Sequence, residues 1–201
     1  MTGGIGEVME LHLEPATTAL VVIDLQRGIV ANPATPHGPK EVVARTARMV
    51  KAFRAAGGTV VLVHVTRSRD GRDGLKPITD ASGPGGRISG SPLPTDWSEI
   101  VPELEPEKAD VVIAKRQWGA FYGTELDLQL RRRGVGTIVL CGISTNVGVE
   151  STARDAFDAA TSRYSSRTRC RLVRQRNTPR PYQRSFRASV GSAPPRMSSR
   201  L

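Results

Sequence analysis

Cysteine, long apolar runs and a leader-type N-terminus are scarce or absent in this sequence. Its 201 residues contain two cysteines, Cys141 and Cys170, too few for the disulfide framework of a small secreted protein. No apolar run approaches the roughly 20 residues that a membrane-spanning helix needs. The first residues, MTGGIGEVMELHLEP, have neither the basic segment nor the apolar core of a secretory signal. We therefore expect a cytoplasmic protein with no membrane partner.

Acidic residues and lysine are missing from the end of the chain. Residues 159–201 hold eleven arginines, no lysine and no acid, while the whole chain has a formal net charge of +10. Residues 1–158 therefore carry a net charge of −1. A strongly basic protein usually suggests a polyanion partner, but here the basic character belongs to one terminal segment. That segment has no helical or strand period, which is typical of a disordered tail.

Apolar runs of strand length alternate with helical patterns in the rest of the chain. The runs cover residues 18–26 (apolar at 19–23), 59–66, 109–115 and 137–141, and continuous apolar runs are typical of buried parallel strands. Helices are predicted at residues 41–56, 98–104, 124–133 and from about 147, with loops at 28–40 and 67–96. This alternation predicts an α/β fold, a doubly wound, Rossmann-like parallel sheet with helices on both faces.

Polar groups stand at the carboxyl ends of three of these runs. Asp24 follows the first apolar core, Lys115 ends the third run, and the polar turn GISTN follows the fourth at residues 142–146. Because the carboxyl ends of parallel strands meet at one edge of a sheet, we expect these groups to converge. A carboxylate and an amine there could form a proton-transfer pair. The residues alone are equally compatible with two ordinary charges at strand ends.

Two stretches, VVIDLQRGI and KRQWGAFYGTELDLQLRRRGVGTIVLCGISTNVGVESTARDAF, closely resemble the isochorismatase-like hydrolase superfamily, which includes nicotinamidases, other cysteine amidohydrolases and isochorismatases. The resemblance covers about residues 15–158. It implies a six-stranded parallel sheet and a catalytic Asp–Lys–Cys triad, in which Asp24 and Lys115 match the first two members. It also implies a small-molecule substrate, no cofactor and a homo-oligomer in the intact family.

The nucleophile position departs from the amidohydrolases. Their cysteine directly precedes the valine that opens the V-x-x-T-A-x-D-A helix, and here Gly148 holds that place. Cys141 lies before the turn and is interpreted as a buried small apolar residue. Without a thiolate at the helix start, acyl-enzyme chemistry has no nucleophile. Isochorismatases proper resemble this pattern, which implies Asp24 as the general acid of vinyl-ether hydrolysis, with Lys115 binding substrate anions and tuning Asp24.

Three aromatic residues and one polar segment are assigned on weaker grounds. Trp118, Phe121 and Tyr122 follow Lys115 and could wall an apolar substrate pocket, or equally be core or interface aromatics. The segment TRSRDGRDG lacks the histidine of the nicotinamidase metal motif, so no metal is expected.

The turn itself is assigned by resemblance. In the family its backbone N–H groups form an oxyanion site, so Ser144, Thr145 and Asn146 are expected to contact substrate. A non-proline cis peptide near residues 143–144 is implied as well.

The tail breaks the family pattern, which continues with a strand reading like VFVEDA, a helix and a terminal segment. Synonymous codons for residues 159–171 can be chosen that, read from the third base, encode GYVTVLVEDALS. The same offset on residues 185–201 encodes LPRIGRVRSAEDVLAA. We therefore interpret residues 1–158 as the hydrolase domain and 159–201 as a frameshifted, disordered tail, with the last strand and helix of the family missing.

Two other interpretations remain open. The chain could be an inactive, partly folded relative, because the nucleophile and the last strand are both missing. Alternatively, the arginine-rich tail could bind nucleic acid through phosphate contacts. The tail's aromatic residues are Tyr164, Tyr182 and Phe186, and no nucleic-acid-binding fold is recognisable. Nonspecific attraction is therefore expected, and specific nucleic-acid binding is not.

Restoring the reading frame at residues 158–159 is expected to raise thermal stability. The restored strand would pair with the edge of the strand at 137–141, and its helix would cover apolar surface. Thermal unfolding of the two chains, followed by circular dichroism, measures the difference. Equal melting temperatures would contradict the hypothesis, and so would a gene whose codons do not encode VEDA in the shifted frame.

Overall fold

A computed structural model describes residues 13–34, 37–68, 70, 72–73 and 93–159. Within these residues four parallel strands form one sheet in the order β3-β2-β1-β4. The strands are β1 (Thr18–Ile23), β2 (Thr59–Val65), β3 (Val111–Lys115) and β4 (Thr137–Gly142). The helices are α1 (Arg27–Val30), α2 (Pro39–Ala55), α3 (Leu126–Arg132) and α4 (Glu150–Ala159). The predicted α/β fold with a parallel sheet is confirmed.

Both faces of the sheet are covered, which explains why its strands are apolar throughout. Side chains alternate along a strand, so Ala19, Val21 and Ile23 of β1 pack in the cluster that contains α3 and α4. Leu20 and Val22 point the other way, into the cluster that contains α2. All of β1 is buried. The result is a three-layer arrangement with β1 in the middle of the sheet.

The strand register aligns the carboxyl ends of the strands at one edge. Ile23, the last residue of β1, lies beside Val63 of β2 and Gly142 of β4. Val65 at the end of β2 lies beside Lys115 at the end of β3. The residues that follow β1 and β4 therefore share an edge with Lys115, as the sequence predicted.

Segments after β1 and β2 differ from the sequence prediction. Strand β1 ends at Ile23, and Gln26 forms an isolated antiparallel bridge with Ile100 instead of continuing the strand. The predicted helix at 98–104 is only a 3₁₀ turn over Pro102–Leu104. The predicted loop at 28–40 contains α1 and the start of α2. A proline in the first turn favours that earlier start of α2, because its missing N–H would have no helical acceptor there.

Three later elements also begin differently from the prediction, and one of them is α3, which begins at Leu126 and not at 124. Strand β3 begins at Val111 and not at 109. The predicted helix from 147 is a π-helical turn, Thr145–Val149, followed by α4 from Glu150. The predicted last strand and helix of the family, the predicted tail, and positions 69, 71 and 74–92 of the predicted loop at 67–96 lie outside the described residues. None of the described helices is long and apolar enough to cross a membrane.

Replacing Leu126 by alanine is expected to destabilise the fold by about 2–5 kcal/mol, because a fully buried leucine leaves a cavity. Leu126 is 0% exposed and Leu128 is 53% exposed on the same helix. Leu128→Ala is therefore a matched control, expected to change stability by no more than about 0.5 kcal/mol. Urea unfolding of the two variants measures the difference. Similar losses would contradict the assignment of the core face of α3.

Candidate active site

Asp24, directly after β1, has a left-handed backbone conformation. Its φ is +56°, in the left-handed region that costs most non-glycine residues energy and that occurs often at functional sites. Its N–H still donates to the Val63 carbonyl at 2.9 Å, as in a continuing strand. A regular strand would point Asp24 away from the face of Ile23. Instead its carboxylate lies on that same face, beside Lys115.

Asp24 and Lys115 form a buried ion pair. Lys115 Nζ lies 2.9 Å from Asp24 Oδ2, and the two side chains are 0% and 8% exposed respectively. The ammonium also donates to the Trp118 carbonyl at 2.6 Å. The alternation of β3 explains this placement, because Val111, Ile113 and Lys115 all point to the face covered by α3 and α4. The structure brings these two charges together, as the sequence predicted.

Burial raises the pKa of Asp24 to about 6, although the charge and hydrogen bond of Lys115 act to lower that pKa. The second carboxylate oxygen, Oδ1, is buried and has no hydrogen-bond partner in the described residues. An acid with this pKa is partly protonated near neutral pH, as a proton donor or acceptor in catalysis requires. The site can therefore exchange a proton through Asp24.

Gly148 lies against this ion pair. A carbon atom attached at its Cα would stand 2.9 Å from Asp24 Oδ2 and 3.1 Å from Lys115 Nζ. It would also stand 2.9 Å from Ile23 Cγ2, closer than ordinary van der Waals contact. The three residues that the sequence aligned with the family triad are thus brought together. Glycine at position 148 therefore avoids crowding the two charged ends.

The wide turn before α4 carries the other predicted binding residues. Val149 N–H donates to the Ser144 carbonyl five residues earlier, at 3.2 Å, as expected for a π-helical turn. Thr145 is buried, Ser144 is half-buried and Asn146 is exposed. The peptide bond between Ile143 and Ser144 is cis, as the family resemblance implied. These residues belong to the same turn as Gly148, and their contact with substrate stays a prediction.

The aromatic residues after Lys115 differ in their exposure to solvent. Trp118 is 61% exposed and Tyr122 is 80% exposed, whereas Phe121 packs against the core beside α3 and α4. Trp118 reaches the ion pair through its main-chain carbonyl. The three side chains therefore differ in burial, and their role in binding stays a prediction.

Two further expectations concern Cys141 and a metal site. The Cys141 side chain packs with the cluster that contains α2, on the opposite face of the sheet from Lys115. In the part of the chain that the structure describes, no three His, Cys, Asp or Glu side chains are grouped to hold a metal ion.

Three residues that sequence reasoning did not assign to the site contribute to it. Fully buried Thr152 of α4 accepts a hydrogen bond from Ala120 N–H at 3.1 Å and donates one to the Gly148 carbonyl at 2.7 Å. Asp155 packs on Gly119, close enough for Lys115 to act on its pKa. That pKa is raised by partial burial and by Asp158, and lowered by Lys115.

Gln26 is the third of these residues and is fully buried. Its side-chain amide donates to the Val65 and Trp97 carbonyls, each at 3.1 Å, and its oxygen accepts Val65 N–H at 2.7 Å. It thereby ties the segment at 97–101 to the strand ends beside Asp24. Gln26 and Thr152 both lie inside the two stretches that resemble the family, and this position was the sequence signal that could have assigned them to the site.

Gly148→Ala is expected to push Asp24 and Lys115 apart, because the added methyl would stand 2.9 Å from Asp24 Oδ2 and 3.1 Å from Lys115 Nζ, too close to both charged ends. The Asp24 carboxylate then loses its cation, so its pKa should rise above about 6, and stability should fall by about 1–3 kcal/mol from overpacking. Carbon-13 NMR titration of the aspartate carboxyl groups and urea unfolding measure the two effects. Gly136→Ala is the matched control, since an added carbon there meets no atom within 4 Å. An unchanged Asp24 pKa in the Gly148 variant would contradict this account of the site.

Comparisons with known proteins identify the family of this chain. The isochorismatase domain family matches residues 18–161. The isochorismatase family protein YwoC of Bacillus subtilis is 53% identical over 147 residues, which are 73% of this chain and 74% of that protein. The ureidoacrylate amidohydrolase RutB of Methylobacterium radiotolerans is 37% identical over 174 residues, covering 73% of this chain and 64% of that protein.

Solved structures give the same answer for the fold. An isochorismatase family protein from Burkholderia thailandensis superposes with a TM-score of 0.68 and 48% sequence identity, covering 77% of each chain. The match of the family over most of the chain and the identity to these relatives lead to one conclusion: this chain belongs to the isochorismatase family of hydrolases.

Proposed function

We propose that this chain hydrolyses a small-molecule substrate by proton transfer at Asp24, with Lys115 as its partner and without a cysteine nucleophile. The observation that carries the proposal is the buried Asp24–Lys115 pair, 2.9 Å apart, with the bare Cα of Gly148 against both side chains. A thiolate at position 148 would be the nucleophile of an amidohydrolase. With glycine there, the reactive group left at this edge of the sheet is the Asp24 carboxyl.

The reaction that best fits these groups is hydrolysis of a vinyl ether. Protonation of the enol-ether carbon by Asp24 yields an oxocarbenium ion, to which water adds. The resulting hemiketal breaks down to an alcohol and a carbonyl compound, and the proton released by water returns to Asp24. A carboxyl pKa of about 6 supports this role, because the acid is then available near neutral pH.

Lys115 has two roles in this proposal. Its ammonium opposes the effect of burial on Asp24, so the carboxylate can form after each proton transfer. It also supplies positive charge for an anionic group of the substrate. Backbone N–H groups in the first turn of a helix have no intrahelical acceptor, which supports the turn at Ser144, Thr145 and Asn146 as a second place for substrate oxygen atoms. Trp118, Phe121 and Tyr122 are proposed to contact the apolar part of the substrate.

The boundary at 158–159 and the frameshift remain proposals about the tail. The family match ends at residue 161, which supports the view that the later residues are not family sequence. About a quarter of YwoC, similarly, lies outside its match to this chain. An inactive, partly folded chain is the alternative if the missing segments are essential. Homo-oligomer formation, a cytoplasmic location and purely nonspecific nucleic-acid binding by the tail stay predictions as well.

Asp24→Asn is expected to lower kcat/KM by about 100-fold or more on the best of a panel of vinyl ethers and amides, because the amide cannot donate the proton. The same panel is run on the frame-restored protein. Asp127→Asn, which alters a half-exposed carboxylate on α3, is the matched control and should retain full activity. Urea unfolding of Asp24→Asn checks that the unpaired Lys115 has not unfolded the chain.

The pH profile tests the direction of proton transfer. If protonated Asp24 is the acid, kcat/KM should be highest below about pH 6 and fall as the pH rises through the Asp24 pKa. A profile that rises through the same pH would make Asp24 a base and refute the acid mechanism. Full activity of a folded Asp24→Asn variant would refute the proposed function altogether.

A further inference from the structure

We infer that Thr152 is a positioning residue that keeps Lys115 against Asp24. It does so by joining the turn that carries Gly148 to the segment that carries the Trp118 carbonyl. The importance of this pair for catalysis rests on the proposed function, but the positioning itself does not.

The Thr152 hydroxyl makes two hydrogen bonds of opposite kind. It donates to the Gly148 carbonyl at 2.7 Å and accepts from Ala120 N–H at 3.1 Å, and both Thr152 and Ala120 are 0% exposed. A single atom that is both donor and acceptor is needed for this arrangement. Serine can replace it chemically, and valine, which has nearly the same shape, cannot.

The bond to Ala120 separates this threonine from an ordinary helical one. Threonine often donates to the carbonyl four residues earlier in its own helix, as Thr152 does to Gly148. The Ala120 N–H, however, belongs to a different segment, 32 residues away in the chain. Without the hydroxyl, this buried N–H would lose its acceptor, so the loss is not confined to α4.

The segment that Thr152 anchors is the one that orients Lys115. Residues 116–125 between β3 and α3 form no helix or strand, so their position depends on side-chain and turn contacts. Trp118, two residues before Ala120, supplies the carbonyl that accepts from Lys115 Nζ at 2.6 Å. A shift of this segment therefore moves the acceptor that keeps the ammonium beside Asp24 Oδ2.

A displacement of Lys115 would change the pKa of Asp24 in a definite direction. Lys115 lowers the pKa of Asp24 by charge and by its hydrogen bond, against the larger effect of burial. Among the described residues, Asp155 of α4 also interacts with Lys115, which lowers the pKa of Asp155, while burial and Asp158 raise it. If Lys115 loses its anchor, Asp24 keeps its burial and loses its cation, so its pKa rises.

The test compares Thr152→Val with Thr152→Ser in the full chain. Aspartate labelled with carbon-13 at the carboxyl group is titrated by NMR, and the Asp24 signal is assigned by its disappearance in Asp24→Asn. We expect Thr152→Val to raise the Asp24 pKa by about one unit and Thr152→Ser to leave it at the wild-type value. Thr46→Val, which removes a buried hydroxyl from α2 on the other face of the sheet, is the matched control and should change nothing at Asp24.

A wild-type Asp24 pKa in a folded Thr152→Val variant would overturn the inference, and so would equal shifts in the valine and serine variants. If the valine variant does not fold, amide hydrogen exchange at Ala120 in the Thr152→Ser variant tests the inference instead. Slow exchange together with an unchanged pKa supports the inference, whereas fast exchange with an unchanged pKa overturns it. No substrate is needed, so a failure of the proposed function in the Asp24→Asn assay is distinguishable from a failure here.

Discussion

A buried ion pair between Asp24 and Lys115 is the interaction on which the rest of this site depends. Removing two charges from water costs several kcal/mol each, and their attraction offsets that cost only in good geometry with further hydrogen bonds. The chain meets these conditions through its fold. The register brings the strand ends together, the left-handed backbone turns Asp24 toward Lys115, and the Trp118 carbonyl accepts from the ammonium. One oxygen of Asp24 is nevertheless left without a partner in the described residues, and that group has the raised pKa.

In the proposed mechanism, Gly148 decides what chemistry such a pair can perform. A thiolate at this position would compete with Asp24 for the ammonium of Lys115 and would become the group that attacks the substrate. With glycine, no thiolate competes for the ammonium, and the Asp24 pKa reflects burial opposed by the charge and hydrogen bond of Lys115. The proposed move from a sulfur nucleophile to a carboxylic acid therefore follows from steric and electrostatic contacts around one backbone position, without any change in the sheet.

The sequence predicted those parts of the fold that leave a local pattern, and missed those that depend on distant contacts. Buried parallel strands are apolar along their length, so all four described strands were found, and their polar ends identified Asp24 and Lys115. The positive φ of Asp24, the bridge from Gln26 to Ile100 and the Thr152–Ala120 bond join residues far apart in sequence or depend on them. Hydrophobicity alone also cannot tell that Phe121 is packed while Trp118 and Tyr122 are exposed, because all three side chains are large and apolar.

The position of α4 links the site to the question of the tail. Asp24, Lys115 and Gly148 all precede α4, so the composition of the ion pair does not depend on residues 159–201. Their arrangement does depend on α4, because Thr152 holds the Gly148 turn to Ala120, and Ala153 and Ala156 bury the helix against the sheet. This helix is also the last element before the proposed loss of frame. A foreign tail would therefore weaken catalysis mainly by loosening α4, and hence the Asp24–Lys115 geometry, while leaving every reacting group in the chain.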